Sequence, residues 1–404
     1  MLYRLRSTIQ EYPRQFWYLL AGLLVSTSGM GMIWPFLTIY LRQHLNISMT
    51  TVTALLMLDS IMSILSSFVA GAIADRFGRK WALVVSLGMV GLVYLVMSRA
   101  DTLWMAAVLM GLRGVFMPLY RIGSDAMVAD LIPDEKRVDA YSLLRAVNNV
   151  GIAVGPSVGG FVAAVSYTHS FYIAAGCLVF FSLFALIFMR ETAPHLQKVD
   201  TQLTIGLQHT EVGYATAFKD KLLMSVVLAS TFVGMASSLI FVLLPAYAKE
   251  NFAMTESQTG FIMAVNAGMV IFFQIGVTRL TRRQAPLWMC ALGAGLYAIG
   301  IGSVALGHGF WAFAASMVVV SLGELVLVPT ATTLIANLAP PAMRARYMSV
   351  YGQSWSISHG FGPVVGGFLN DQLAPRAMWL GGLGWGALAF VLFAALARRR
   401  SAKK

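Results

Sequence analysis

The chain has 404 residues, 58% of them hydrophobic and only 11% charged, with 29 Lys and Arg against 17 Asp and Glu for a net charge of +12. Soluble globular proteins carry about 25% charged residues, so the composition excludes an ordinary soluble enzyme, and its apolar content excludes a disordered chain. Two cysteines, Cys177 and Cys290, lie in apolar runs and offer neither a disulfide framework nor metal-ligand spacing.

Twelve apolar segments follow in chain order, at about 16–41, 51–74, 80–98, 103–130, 141–166, 170–189, 222–248, 258–278, 286–307, 310–337, 346–370 and 376–397. A spanning helix needs roughly 20 apolar residues, and open-edged strands cannot lie in hydrocarbon, so each segment is expected to be a helix. The polar start MLYRLRSTIQEYPRQ precedes a run long enough to span, which reads as no signal peptide. With the N-terminus inside, 22 of the 29 basic residues fall in inside segments. Four (Arg42, Arg99, Lys249 and Arg376) fall outside, and three (Arg113, Arg121 and Arg145) lie within helices. The positive-inside rule then places both termini in the cytoplasm. Most of the +12 is thereby an orientation signal, so no nucleic-acid partner is expected. The sequon Asn46-Ile47-Ser48 carries no weight.

The chain repeats itself at an offset of 207: Gly155-Pro156-Ser157-Val158-Gly159-Gly160 recurs as Gly362-Pro363-Val364-Val365-Gly366-Gly367, and Arg137 recurs as Arg344. This divides it into a six-helix bundle at 1–190, a polar cytoplasmic linker at 191–221 and a second six-helix bundle at 222–404. An even number of helices gives both halves one orientation, an architecture of transporters with a midplane site. Gly151, Gly155 and Gly159 recur every fourth residue in the fifth segment, as do Ser358, Gly362 and Gly366 in the eleventh. Small residues at this spacing let helices approach closely in lipid. Pro156 and Pro363 each remove a backbone hydrogen bond, so these stretches read as tight packing, a hinge, or both.

Gly71-Ala72-Ile73-Ala74-Asp75-Arg76-Phe77-Gly78-Arg79-Lys80, between the second and third segments, resembles the G-x-x-x-D-R-x-G-R-K loop of the major facilitator superfamily at every defining position. The glycine–proline stretch of the fifth segment is similar to a motif of that superfamily's drug/proton antiporters. Leu322-Gly323-Glu324-Leu325 with Pro329, and Ala126-Met127-Val128-Ala129-Asp130, look like bacterial proton-driven multidrug exporters of the twelve-helix type. There are departures. In Gly276-Val277-Thr278-Arg279-Leu280-Thr281-Arg282-Arg283, Leu280 replaces the acid; Met117 stands where a glycine follows the fourth-segment arginine; and Arg190-Glu191-Thr192-Ala193-Pro194 is no sugar-porter signature. The resemblance implies a cytoplasmic latch between Asp75 and an acid at the end of the fourth helix, either Asp125 or Asp130. The gating set is then Gly71, Asp75, Arg76, Gly78, Arg79, Lys80, Asp125, Asp130, Arg137 and Arg145. A static basic anchor is the alternative.

An ionisable residue inside the membrane is a functional candidate by default. Those here are Asp59, Arg113, Arg121, Asp125, Asp130, Arg145 and Glu324, with His359 as an addition that also reads as a packing residue. None lies in the third, sixth, ninth or twelfth segments, which are expected to face lipid. Glu324, about midway along its segment, is the leading proton-coupling acid, with a fixed ion pair to Arg113 as the alternative. Asp59 is the second, with a structural hydrogen bond as its alternative. Arg121 and Asp125, four apart, are placed to pair. Met30, Met32, Trp34, Arg113, Met117, Asn148, Met263, Asn266, Trp355 and His359 are candidates to line a substrate cavity.

The expected function is proton-coupled secondary transport by alternating access, exporting amphiphilic or cationic small molecules from a bacterial cell across its inner membrane. The expected protein works as a monomer, uses the proton gradient and needs no cofactor or metal. Proton symport of a sugar or peptide, or translocation of a lipid or lysolipid, is the alternative transport reading. No catalytic constellation supports an enzyme, and no soluble segment is long enough for a receptor's signalling domain.

Overall fold

The computed structural model describes residues 11–193, 215–340 and 343–401. Residues 194–214 of the expected linker lie outside the described residues, as do Arg4, Arg6, Lys198, Lys403 and Lys404 of the orientation signal. The helices are α1 (Arg14–Leu45), α2 (Met49–Phe77), α3 (Arg79–Met97), α4 (Leu103–Leu131), α5 (Asp134–Val165), α6 (Tyr167–Phe188), α7 (Ala215–Lys219), α8 (Lys221–Val242), α9 (Leu244–Phe252), α10 (Glu256–Thr281), α11 (Pro286–Val304), α12 (Gly309–Leu338), α13 (Arg344–Gln372) and α14 (Ala377–Ser401). No strand occurs among the described residues.

Local chemistry sets several boundaries. Thr102 caps α4 by accepting from the Met105 amide, and Asp220 caps α8 by accepting from the amides of Leu222 and Leu223. Thr255 and Gln258 form a reciprocal capping box at the start of α10. The seventh segment is two helices rather than one. Pro245, with no N–H to donate, falls at the start of α9, just after the break at Leu243.

Among the described residues, eleven helices are long and apolar enough to cross a membrane. The remaining long helix, α13, carries Gln353, Ser354, Ser356, Ser358 and His359 in mid-length. Its polarity is consistent with packing on neighbouring helices, α8 and α14.

The chain forms two compact units, residues 1–37 with 58–203 and residues 38–57 with 204–404. The second therefore includes the ends of α1 and α2 that flank their connecting loop, in contrast to boundaries drawn at 190 and 222. Polar contacts tie these ends to the rest of the second unit. Thr38 Oγ1 donates to the Val242 carbonyl (3.1 Å), Arg42 Nε pairs with Glu250 (2.5 Å), and Asp371 Oδ2 accepts from both the amide and the hydroxyl of Thr50 (2.7 Å each).

In the first unit α3 packs on α4 and α6, and in the second α11 packs on α12 and α14. These four helices (α3, α6, α11 and α14), which carry no charge in mid-span, expose large apolar side chains, Leu92, Phe180, Ile299 and Val391 among them, but so do α2 and α10, with Phe68 and Phe272.

The repeat is visible as one packing register used twice. A Cβ on Gly155 of α5 would stand 2.7 Å from the Ser28 carbonyl oxygen of α1, and one on Gly362 of α13 would stand 2.8 Å from the Met235 carbonyl oxygen of α8. Each residue of the second pair lies 207 positions after its counterpart. Gly159 on Met32 and Gly366 on Leu239 repeat the same spacing. The seam runs α1 against α5 and α8 against α13, and a side chain at Gly155, Gly159 or Gly362 would force the backbones apart, whereas Gly366 faces the side-chain ends of Leu239 and Leu243. Pro156 and Pro363 sit within it, inside continuous helices.

Candidate functional site

In the first unit two of the helix charges, Arg113 and Asp59, form a buried ion pair. Arg113 Nη1 of α4 lies 2.7 Å from Asp59 Oδ2 of α2, and both residues are buried, at 8% and 7% exposure. Arg113 Nε donates to the Tyr94 hydroxyl at 3.3 Å, and the guanidinium lies 4.6 Å from the ring centre of Trp34. A Cβ on Gly114 would come within 2.9 Å of the Met62 Cβ, so α2 and α4 meet closely where the pair forms. Asp59 Oδ1 has no hydrogen-bond partner among the described residues. The alternative that Arg113 pairs with Glu324 is thus corrected: its counter-ion is Asp59 of its own unit.

In the second unit Glu324 of α12 accepts a hydrogen bond from Asn266 Nδ2 of α10 at 2.8 Å, and the same nitrogen contacts Ser321 Oγ at 3.0 Å. Among the described residues no cation pairs with Glu324. A Cβ on Gly323 would stand 2.9 Å from the Gly293 carbonyl oxygen of α11, so α12 is closely packed beside this acid. A carboxylate held only by an amide in an apolar helix bundle is costly to keep charged, and taking up a proton relieves that cost.

The other candidate cavity residues make contacts within their own units. Asn148 accepts from Thr27 Oγ1 at 3.4 Å. Met263 and Met32 are buried, at 5% and 4% exposure, while Met30 and Met117 are half-buried. His359 contacts the Trp355 carbonyl through Nδ1 at 3.0 Å, with the two rings 5.7 Å apart.

The loop between α2 and α3 forms an ion network. Gly78 takes φ +105°, a conformation that favours glycine. Arg79 pairs with Asp75 through Nη2 and with Asp130 through Nε, both at 3.0 Å. The acid at the end of α4 is therefore Asp130. Asp125 is exposed, and its carbonyl accepts from the Tyr141 hydroxyl. No close ion pair joins Arg121 to Asp125 among the described residues; Arg121 acts on Asp125 only as a nearby charge. Arg137 donates to the carbonyls of Ile132 (3.0 Å) and Ala129 (2.6 Å), closing the end of α4. Arg76 lies over Phe77, Arg145 is exposed, and Gly71 has open space where a Cβ would go.

Sequence reasoning missed Glu191. Its carboxylate accepts from the backbone amides of Arg79 (2.9 Å) and Lys80 (3.2 Å) at the start of α3, and from those of Thr192 and Ala193. Thr192 Oγ1 donates to Asp130 Oδ2 at 3.1 Å, and Lys80 Nζ donates to the Leu186 carbonyl at 2.7 Å. The only signal was an acid soon after the sixth apolar run, in a stretch that resembled no motif. The cluster of Arg42, Glu250 and Asp371 was also missed, because charges in short loops read as orientation alone.

The family model of the Major Facilitator Superfamily matches residues 19–307 and 226–404. The chain belongs to the major facilitator superfamily. This transporter is 25% identical to a Na(+), Li(+), K(+)/H(+) antiporter of Planococcus maritimus, over 96% of this chain and 95% of that one. It is 24% identical to multidrug resistance protein MdtH of Proteus mirabilis, over 96% and 95%. It is also 26% identical to the class B tetracycline resistance protein of Escherichia coli, over 66% and 65%. The resemblance to drug and proton antiporters thus holds at the level of the whole chain. Among solved structures, a bacterial homologue of the human lysosomal transporter Spinster, inward-facing and unoccupied, aligns with a TM-score of 0.79 at 12% identity, covering 95% of this chain and 96% of that one. The nucleoside transporter NupG aligns with a TM-score of 0.76 at 14% identity, covering 95% and 99%. At that identity the likeness speaks for the fold alone.

Proposed function

We propose that this transporter is a proton-coupled exporter of amphiphilic or cationic compounds that works by alternating access. The observation that carries this reading is Glu324, hydrogen-bonded by Asn266 without a cation partner among the described residues. A cationic substrate arriving near such a carboxylate competes with a proton for it, and that competition is the minimum device for antiport. Asp59 is the secondary proton site. Protonating it strands the buried charge of Arg113, so it exchanges a proton only when α2 and α4 separate. Arg79, Asp75, Asp130 and Glu191 form the cytoplasmic latch, given the orientation supported by the 22-to-4 distribution of basic residues. Both termini then lie in the cytoplasm of a bacterial cell, the protein sits in the inner membrane, and the monomer is the working unit.

The test is dye transport into everted membrane vesicles driven by an imposed pH gradient. Wild-type protein accumulates cationic dyes, and Glu324→Gln does not. Gradient-driven transport left intact in that variant removes Glu324 from the mechanism. The Planococcus maritimus relative favours a second reading, in which the exported cation is an alkali ion. In the same vesicles Na+, Li+ or K+ would then dissipate the pH gradient, and dyes would not.

A further inference from the structure

The repeat relates the latch of the first unit to an unlike structure in the second. α3 begins at Arg79 and α11 at Pro286, 207 positions later. In the first unit an internal anion, the Glu191 carboxylate, fills the space at the start of α3. At the equivalent positions the second unit has Arg398 in place of Glu191 and Asn337 in place of Asp130. A cavity of about 480 Å³ opens there, between the α10–α11 loop and the ends of α12 and α14. Arg282 and Arg400 both line it, Gln284, Thr281 and Asn337 add neutral polar groups, and Trp288 adds an aromatic wall; no acid lines it. Neither arginine side chain has an ion-pair partner among the described residues.

Two guanidinium groups on one pocket without a carboxylate call for an external anion. Their planar donor forks match phosphate oxygens better than an ammonium would. Basic pockets between helices at a membrane surface suit acidic headgroups, and a tryptophan beside them suits the interfacial layer. We infer that this cavity binds a phosphate-bearing anion, the headgroup of an anionic phospholipid, in the place that Glu191 holds in the first unit. Inorganic phosphate shares the chemistry and is a separate arm of the test.

The experiment measures thermal unfolding of the purified full chain in detergent with added phosphatidylglycerol, phosphatidylcholine or inorganic phosphate. It compares wild type with Arg282→Gln/Arg400→Gln and with Arg283→Gln/Arg399→Gln, which removes the same charge from residues outside the cavity wall. Phosphatidylglycerol is expected to stabilise wild type and the control, and phosphatidylcholine neither. Half-saturation is expected to need about tenfold more phosphatidylglycerol in the cavity variant, equivalent to about 1.4 kcal/mol. If that variant does not fold, Arg400→Gln against Arg399→Gln makes the same comparison at the exposed end of α14. Stabilisation by inorganic phosphate that the cavity variant loses keeps the anion site and overturns the lipid as its source. Equal stabilisation by both lipids, or equal loss in both double variants, overturns the site.

Discussion

Asp59 and Asn266 occupy the same place in the two halves of the repeat, 207 residues apart, and each reaches from the second long helix of its unit to the fourth. Asp59 meets Arg113 at 2.7 Å, and Asn266 meets Glu324 at 2.8 Å. Replacing an acid by an amide at this place changes what the fourth helix must carry. One unit holds a neutral ion pair, and the other keeps a carboxylate that no cation among the described residues pairs with.

The pair should therefore resist disruption. Asp59→Asn leaves Arg113 buried without a counter-ion, a loss of about 3–5 kcal/mol for buried pairs. Asp59→Asn/Arg113→Met removes both charges and is expected to melt higher than Asp59→Asn alone. Thermal unfolding of the purified variants decides it, and a double variant less stable than the single would mean the pair is not the buried unit described here.

Glu324 is expected to set the pH response of transport. Glu324→Gln should give a flat profile of dye uptake against pH at background level, and Glu324→Asp a partial one. Asn266→Leu removes the hydrogen-bond donor, leaves the acid, and is expected to displace the profile without abolishing coupling. Identical profiles for wild type and Asn266→Leu would show that this hydrogen bond has no part in the proton cycle.

Glu191→Ala strips the amides at the start of α3 of their acceptor. Leaving such groups unsatisfied costs about 1–3 kcal/mol when buried. We expect slower transport with increased labelling of cysteines introduced at the α2–α3 loop, partly restored in Glu191→Gln, which keeps an acceptor oxygen. Asp130→Asn should act likewise and Asp125→Asn should not, because only Asp130 reaches Arg79. An Asp125 variant as impaired as the Asp130 variant would contradict this assignment.

The glycine seam predicts a sharp contrast. Gly155→Val and Gly362→Val place side chains against backbone at 2.7 and 2.8 Å, so both should lower the yield of monodisperse protein in size-exclusion chromatography. Gly71→Ala meets nothing within 4 Å and should be tolerated for folding.

Glu250 lies beyond the α8 span, on α9. Burial pushes its carboxyl above the ordinary value of 4.5, and Arg42 offsets this only in part. The folded state therefore holds the proton more tightly than the unfolded state, so stability falls as pH rises through that window. Lowering the pH from 7 to 5 should stabilise wild type relative to Glu250→Gln. A melting-temperature difference that does not move with pH would remove Glu250 as the titrating group.

Apolar run length, the distribution of basic residues and the 207-residue repeat determined the all-helical membrane fold, the family and the internal symmetry, but not the break at Leu243 that splits the seventh segment into α8 and α9. These are one-dimensional signals, because hydrocarbon thickness and backbone hydrogen bonding act on each segment separately. The α2–α3 loop was legible for the same reason, since Gly78, Arg79 and Asp75 are neighbours in the chain. Only the tertiary structure decided the partners: Arg113 with Asp59 instead of Glu324, Asp130 instead of Asp125, Glu191 at the start of α3, and the ends of α1 and α2 with the second unit. Each joins residues tens to hundreds of positions apart. Which charges meet depends on which glycines let which helices close to contact, and that geometry is not encoded in the spacing along any one helix.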